Sequence, residues 1–243
     1  MQRLNETLLK VLAVAVVAAM PVATFADENE AKSPAANVGG VEGDGATIKG
    51  IILYEGKTPP QKQVAVQQDP VCIKARQNNP LLSDTWTFGK NGDKVTLQNV
   101  LVYVSKGLEG KKFEVPAKPT IIDQIDCEYV PHVQATMANQ KVDIKNSDPT
   151  LHNVQAFPKN NPPFNDGMPV KDMVLNKKFS AAELGIRLQC AVHPWMGAYL
   201  HVLDHPFYAI TQDDGTFELR GLEDGTYPIS VWHEFKRFAP SPE

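Results

Sequence analysis

Apolar residues along the chain fall mostly in short runs in which hydrophobic and polar positions alternate, a period-2 pattern typical of strands with one buried face. Short turn-forming pairs such as Asn91-Gly92 and Asp214-Gly215 separate these runs. The pattern predicts a mainly β chain with antiparallel sandwich architecture. The predicted strands include residues 48–54, 95–104, 142–144, 186–190, 198–202 and 217–219.

Helical signals are weak and short. Ser180, followed three residues later by Glu183, has the spacing of a helix-capping box, and residues 69–77 are a second candidate for a single helical turn or two. Neither segment is long enough to form a layer, so the core is predicted to be built from sheets. No glycine-rich phosphate loop or dinucleotide-binding fingerprint follows any predicted strand.

The first 26 residues have the features of a cleavable secretory signal. Arg3 and Lys10 flank the start of an apolar stretch at 11–20 that is shorter than the roughly 20 residues needed to span a bilayer. We expect cleavage after Ala26, no membrane span in the mature chain, and a periplasmic or secreted location. Residues 27–46 contain little that could be buried, so they are predicted to form a flexible leader.

Composition argues against several classes of function. The formal net charge is −4 and the lysines are scattered, so the chain has no basic stripe for a nucleic-acid backbone. Three cysteines are too few for a disulfide scaffold, and their odd number leaves one for a separate role. No nucleophile elbow or comparable signature appears, and we do not expect an enzyme.

The most informative stretch is a C-x-x-H-x-x-M pattern formed by Cys190, His193 and Met196 directly after a predicted strand. On that strand Cys190 shares a face with Ile186 and Leu188, so its thiol is expected to point into the core. A blue-copper site takes two imidazoles and a thiolate in a trigonal arrangement, with a weak thioether on the axis. The pattern therefore supplies three of the four ligands from one loop.

The second imidazole is expected from His152, which follows a turn at residues 146–150. On a strand His152 would share its face with Val154 and Ala156, so it too would point inward. A haem attachment signature is missing, and a structural zinc site would ordinarily use more thiolates than one. The two patterns together, N-x5-H-N-V from Asn146 onward and C-x-x-H-x-x-M, favour copper.

These two motifs resemble those of the cupredoxins, amicyanin and pseudoazurin most closely, over residues 118–204. Residues 50–234 are also similar to bacterial secreted proteins labelled methylamine-utilisation or plastocyanin-like. The resemblance implies a cupredoxin Greek-key β-sandwich that holds one type 1 (blue) copper ion. It implies that Asn153 braces the two ligand loops. The implied ligands are His152, Cys190, His193 and Met196.

The resemblance implies an electron carrier rather than an enzyme. Its redox partner would be a cytochrome c or a dehydrogenase-like protein, and His193, on the loop, is the expected exit for the electron. Two other functions stay open. One is a copper carrier or sequestration protein that uses the same ligands, and the other is an interaction module in which the metal is structural.

Two segments depart from a minimal cupredoxin. Residues 158–178, between the ligand loops, are expected to form a flap over the site. Residues 205–243 continue past the strand that should close the domain, as a β hairpin and tail. Within them, the T-x-x-D-G-x-F-x-L pattern at 211–219 resembles the last hairpin of carboxypeptidase-regulatory, transthyretin-like sandwiches. We expect residues 205–236 to pair with residues 47–117 in a second small sandwich.

The remaining predictions concern the other two cysteines, Trp195 and the other four histidines. With Cys190 assigned to copper, Cys72 and Cys127 are left, and an oxidising compartment favours a disulfide between them. Trp195, in the ligand loop, is either a packing residue or part of an apolar docking rim around His193. The spacing of the other histidines gives no chelating pair, so no second metal site is expected from His132, His201, His205 and His233.

Overall fold

The computed structural model of the chain describes residues 11–12 and 45–237. Of the predicted signal at 1–26 only residues 11–12 are described, and of the predicted leader at 27–46 only residues 45–46, so both predictions fall largely outside the described residues. The strands are β1 (Val11–Leu12), β2 (Ala46–Ile52), β3 (Phe88–Asn91), β4 (Lys94–Leu97), β5 (Leu101–Val104), β6 (Thr120–Ile125), β7 (Glu128–Val130), β8 (Val133–Met137), β9 (Lys141–Asn146), β10 (His152–Phe157), β11 (Phe164–Met168), β12 (Met173–Lys178), β13 (Glu183–Gln189), β14 (Gly197–Leu203), β15 (Tyr208–Ile210), β16 (Thr216–Leu222), β17 (Ile229–His233) and β18 (Lys236–Arg237).

Two sheets pack face to face between residues 120 and 203. One has the strand order β11-β10-β13-β14-β8 and the other β12-β9-β6-β7. Most neighbours are antiparallel, but β8 pairs with β14 and β6 pairs with β9 in parallel. Alternate side chains of both sheets fill one core, and the predicted all-β sandwich is confirmed. This core includes Ile122, Val142, Ile144, Val154, Ala156, Ile186, Leu188, Ala198 and Leu200.

Residues 158–178 do not form a flap, and that prediction is wrong. Strand β11 adds to β10, and β12 adds to β9, both antiparallel. The segment therefore crosses from one sheet to the other and provides an edge strand of each. Its side chains alternate between more and less buried positions in both strands, as expected of edge strands with one face on the core. The prolines that suggested a loop lie before β11, at Pro162 and Pro163.

Strands outside the sandwich pair with each other across most of the length of the chain. β2 pairs with β16, and β5 lies between β15 and β17, all antiparallel. The turn directly before β16 contains Gly215, which has φ 76°. A Cβ at this position would lie 2.4 Å from the Cβ of Thr96, so only glycine fits. A second core lies among these strands, with Ile52, Leu97, Val102, Phe217, Leu219 and Val231. Their assignment to a transthyretin-like domain stays a prediction.

A third cluster joins the outer strands to the sandwich. Side chains of β8 and β14 pack there against side chains of β5, β15 and β17. The members are Leu101, Val133, Ala135, Met137, Leu203, Tyr208, Ile210 and Trp232. Apolar packing is therefore continuous from the sandwich to the outer strands.

The two helical predictions have opposite outcomes. Helix α1 (Pro70–Arg76) forms where expected, with Asp69 as its N-cap, and a short 3-10 helix covers Asp84–Trp86. The predicted turn at Ser180 and Glu183 is wrong, because Glu183 begins β13. Its carboxylate accepts hydrogen bonds from the backbone N–H groups of Lys159 (2.5 Å) and Asn160 (2.8 Å) instead of closing a helical box. Within the described residues, no helix has the length and apolarity needed to cross a bilayer.

Candidate metal centre

The two sequence patterns meet at one end of the sandwich. His152 begins β10, and Cys190 follows the last residue of β13. Because β10 and β13 are antiparallel neighbours, the start of one lies beside the end of the other. His193 and Met196 lie in the loop from β13 to β14. All four side chains are buried, with exposed fractions of 0% for His152, 0% for Cys190, 2% for His193 and 1% for Met196.

Three donor atoms converge closely. The Nδ1 atoms of His152 and His193 are 2.9 Å apart, and Cys190 Sγ is 3.8 Å from His193 Nδ1. One donor atom of each of the three residues lies within 4.8 Å of the other two. A metal–sulfur bond of about 2.3 Å and a metal–nitrogen bond of about 2.0 Å would span such distances, so these side chains fit a single ion.

Backbone hydrogen bonds shape the ligand loop. The N–H of Met196 donates to the carbonyl of His193 (2.9 Å), and the N–H of Cys190 donates to the carbonyl of Met196 (3.1 Å). The N–H of His193 donates to Cys190 Sγ (3.4 Å). The loop therefore folds back over the thiol, which places Met196 in the same core cluster as Cys190.

Asn153 makes the contacts expected of a brace. Its Oδ1 accepts a hydrogen bond from the N–H of Ala191 in the ligand loop (3.1 Å). Its Nδ2 donates to Asn165 Oδ1 (2.6 Å) and to the carbonyl of Asp166 (3.2 Å) on β11. Asn153 thus links β10, β11 and the loop that carries His193.

Each histidine of the site donates its outer N–H to a carboxylate. His152 Nε2 is 2.8 Å from Asp148 Oδ2, and His193 Nε2 is 3.1 Å from Asp69 Oδ2. Asp148 also accepts from the backbone N–H groups at 126 and 127, both at 2.8 Å. Since an ionised carboxylate only accepts, both imidazoles carry a hydrogen on Nε2 and turn Nδ1 toward each other.

A positive charge between the two facing Nδ1 atoms would stabilise this arrangement. Two neutral imidazoles in these tautomers would point lone pairs at each other over 2.9 Å, whereas a proton or a metal ion would satisfy both. Burial opposes protonation of His152, but the Asp148 carboxylate and the Cys190 thiol outweigh it and raise its pKa to about 9. The pKa of His193 is lowered by burial and by the charge of His152.

The thiol also favours a metal. Burial alone would raise the pKa of Cys190, but a hydrogen bond with His152 and the backbone N–H of His193 together lower it. The result is a thiol that loses its proton more readily than an ordinary one, close to an imidazole nitrogen of each histidine and in the same core cluster as Met196. Such a mixture of soft sulfur and borderline nitrogen donors is suited to copper.

The predicted disulfide is confirmed. Cys72 and Cys127 are bonded, with 5.5 Å between their Cα atoms, and Cys190 is free and buried. Cys72 Sγ lies 3.8 Å from His193 Nε2, so the disulfide belongs to the surroundings of the site. Because Cys72 is on α1, the bond ties that helix to the turn at Cys127.

The two carboxylates, Asp69 and Asp148, were not predicted from the sequence. Asp148 had a local signal, since it lies four residues before His152 in a turn that was otherwise used only as a strand boundary. Asp69 had none, because 124 positions separate it from His193.

His193, the predicted exit for the electron, is covered by protein, and its role as the exit stays a prediction. Asp69 and the disulfide cover its outer edge, and only 2% of the residue is exposed. Trp195 packs its ring on that of His193, with 5.0 Å between centroids, and its Nε1 donates to the carbonyl of Cys127 (3.1 Å). These contacts favour the packing interpretation of Trp195 over a docking rim.

The four remaining histidines lie in other surroundings. His132 Nε2 is 2.8 Å from Glu234 Oε1. The Nδ1 atoms of His201, His205 and His233 each accept a backbone N–H. Within the described part of the chain, every group of side chains that could hold a metal contains His152 or His193.

Comparisons with known proteins give only distant similarities. No family profile and no curated protein matches the sequence. Among solved structures, the chain is similar to a purple cupredoxin from Nitrosopumilus maritimus, with 19% identity over 34% of this chain and 98% of that one, at a TM-score of 0.30. It is similar to a Cu-containing nitrite reductase from Thermus scotoductus SA-01, with 18% identity over 41% of this chain and 25% of the reductase, at 0.33.

A Cu(I) mutant of amicyanin is similar at 19% identity over 37% of this chain and 86% of amicyanin, with a TM-score of 0.32. At such low TM-scores and identities these likenesses carry no weight for function. A functional assignment therefore depends on the side chains at 152, 190, 193 and 196.

Proposed function

We propose that this chain is an exported type 1 (blue) copper protein that carries single electrons between redox partners. The observation that supports this proposal is the buried convergence of His152 Nδ1, His193 Nδ1 and Cys190 Sγ, with Met196 in the same loop. A copper ion bound there would supply reversible one-electron chemistry. An enzyme is not proposed.

Each side chain has a distinct role in this proposal. Cys190 would provide the thiolate, and the two imidazoles would bind the ion through Nδ1. Met196 would be the weaker ligand that tunes the reduction potential. His152 is held by strand pairing, and the ligand loop by its own hydrogen bonds and by Asn153. Side chains fixed in this way need little rearrangement between two oxidation states.

Burial supports electron transfer over the alternative of a copper carrier. A carrier must let an exchange partner reach its ligands, whereas here the four side chains are between 0% and 2% exposed. An electron can pass through the layer of protein that covers these side chains, whereas a metal ion cannot. A cytochrome c or a dehydrogenase-like protein is the proposed partner, and the signal-like segment at 1–26 supports a periplasmic or secreted location.

Copper loading tests the proposal. The purified protein should bind one copper per chain and show an intense visible band from thiolate-to-Cu(II) charge transfer, with narrow hyperfine coupling in paramagnetic resonance. One bound copper without these two signals would exclude a type 1 site. Rapid mixing of the reduced protein with oxidised cytochrome c then distinguishes an electron carrier from a copper carrier. An electron carrier should be reoxidised and keep its copper, whereas a copper carrier should not be reoxidised in this way.

A further inference from the structure

Asp69 uses its two carboxylate oxygens for two separate tasks. Oδ1 accepts the N–H groups of Val71 (2.7 Å) and Cys72 (3.3 Å), which caps helix α1. Oδ2 is 3.1 Å from His193 Nε2 and accepts the hydroxyl of Thr150 (2.7 Å). Helix capping would need only the first oxygen, so the second is available to act on the histidine.

The position of Asp69 is fixed from several sides. The disulfide joins α1 at Cys72 to Cys127. Arg76, at the other end of the helix, donates through Nε to the carbonyl of Asp126 (2.5 Å) and pairs with Glu128 (2.9 Å). The helix is therefore fastened at both ends to the turn between β6 and β7, and Asp69 is held over the site.

On the basis of the proposed copper function, we propose that Asp69 is a positioning residue for His193. Its carboxylate accepts the Nε2 hydrogen, which leaves the Nδ1 lone pair directed at Cys190 and His152. Partners of this kind fix the tautomer and the ring orientation of a ligating histidine. The same carboxylate, with the disulfide behind it, closes the outer edge of His193 to solvent and to small ligands.

Two substitutions separate positioning from helix capping. Asp69→Ser keeps a good N-cap but is too short to reach His193. Asp69→Asn also keeps the cap and leaves a neutral acceptor near Nε2. Asp214→Ser is the matched control, because Asp214 bonds with Thr216 in its own turn and with Asn91 on β3, among the outer strands and away from the site. Circular dichroism and the thermal midpoint report whether each variant folds.

The first measurement uses metal-free protein, so it does not depend on copper. Nitrogen-15 resonances should show His193 as a single tautomer with hydrogen on Nε2 in the wild type and in Asp214→Ser. In Asp69→Ser the resonances should move toward a mixture of tautomers, and Asp69→Asn should lie between. An Asp69→Ser spectrum identical to wild type would overturn the proposal.

The second measurement uses copper-loaded protein. Competition with a chelator should show a loss of copper affinity of about 10- to 100-fold in Asp69→Ser, the usual effect of removing such a partner. Added imidazole should alter the paramagnetic resonance spectrum of Asp69→Ser but not that of the wild type or the control. Unchanged affinity and no response to imidazole would overturn the proposal. If the wild type bound no copper while the tautomer still shifted, the proposed function would fail and the role of Asp69 would stand.

Discussion

The Nδ1 atoms of His152 and His193 lie 2.9 Å apart, although 41 positions separate the two residues along the chain. One ring is carried by a strand and the other by a loop, and each donates its outer nitrogen to a carboxylate. Both inner nitrogens therefore face the thiol of Cys190. This arrangement links the predictions for the site.

Replacing the thiol and the thioether should have different effects. Cys190→Ser should abolish the visible band, because a hydroxyl is a poor soft ligand and the charge transfer needs thiolate. Met196→Gln should keep a coloured site and lower its reduction potential, because the thioether would bind weakly and only tune the metal. Absorption spectra and voltammetry of the copper-loaded variants measure both effects. A coloured Cys190→Ser protein would contradict the assignment of the ligands.

Removing the Asn153 side chain should loosen the ligand loop. Asn153→Ala loses the acceptor for Ala191 N–H and should cost about 1 to 2 kcal/mol of unfolding free energy. The copper-loaded Asn153→Ala protein should also show broader lines in its paramagnetic resonance spectrum. Asn165→Ala is the control, since it removes only the contact on β11 and keeps the bond to the loop. Equal spectra for both variants would argue against a bracing role.

Loss of the disulfide should cost stability and order at the site. Cys72 and Cys127 are 55 positions apart, for which the loop-closure model gives about 4 kcal/mol. The double variant Cys72→Ser, Cys127→Ser should therefore unfold at a lower urea concentration. Nitrogen-15 spectra should show greater motion of His193, because α1 is released on one side. Wild-type urea stability would mean that the remaining contacts of Arg76 suffice to hold the helix.

Buried histidines away from the site should make the protein sensitive to acid. His201 is fully buried, and burial lowers its pKa from 6.5 to about 3. The unfolded chain binds a proton near pH 6.5 that the folded chain does not, so the stability is present above pH 6.5 and falls toward pH 3. His201 should account for about 2 kcal/mol between pH 7 and pH 5.

Urea unfolding at several pH values checks this prediction. In His201→Asn the amide oxygen can still accept the N–H of Gly185, which donates to Nδ1 in the wild type (3.1 Å), but it does not titrate. The slope of stability against pH should be smaller in this variant, even if its stability at pH 7 is lower. His233, whose pKa burial lowers to about 4, should add to the same trend. An unchanged slope in His201→Asn would assign the acid sensitivity to other groups.

The strand pattern and the convergence of His152, Cys190 and His193 could be predicted because their signals are local, whereas their role as copper ligands with Met196 stays a prediction. Alternation along 186–190 placed the thiol of Cys190 on the inner face, and the spacing to His193 and Met196 lies within one short loop. His152 followed from the same alternation on a second strand. The disulfide followed from the cysteine count and the compartment. None of these predictions required knowledge of which segments meet in space.

Tertiary structure alone decided that the site is closed. Asp69 reaches His193 across 124 positions, and no periodicity or spacing connects a helix N-cap to a distant loop. Edge strands β11 and β12 were misjudged for a similar reason, since pairing with β10 and β9 depends on free sheet edges that a single segment does not reveal. Local sequence determines which face of a strand a side chain takes, whereas the contacts that cover that side chain depend on how distant segments pack together.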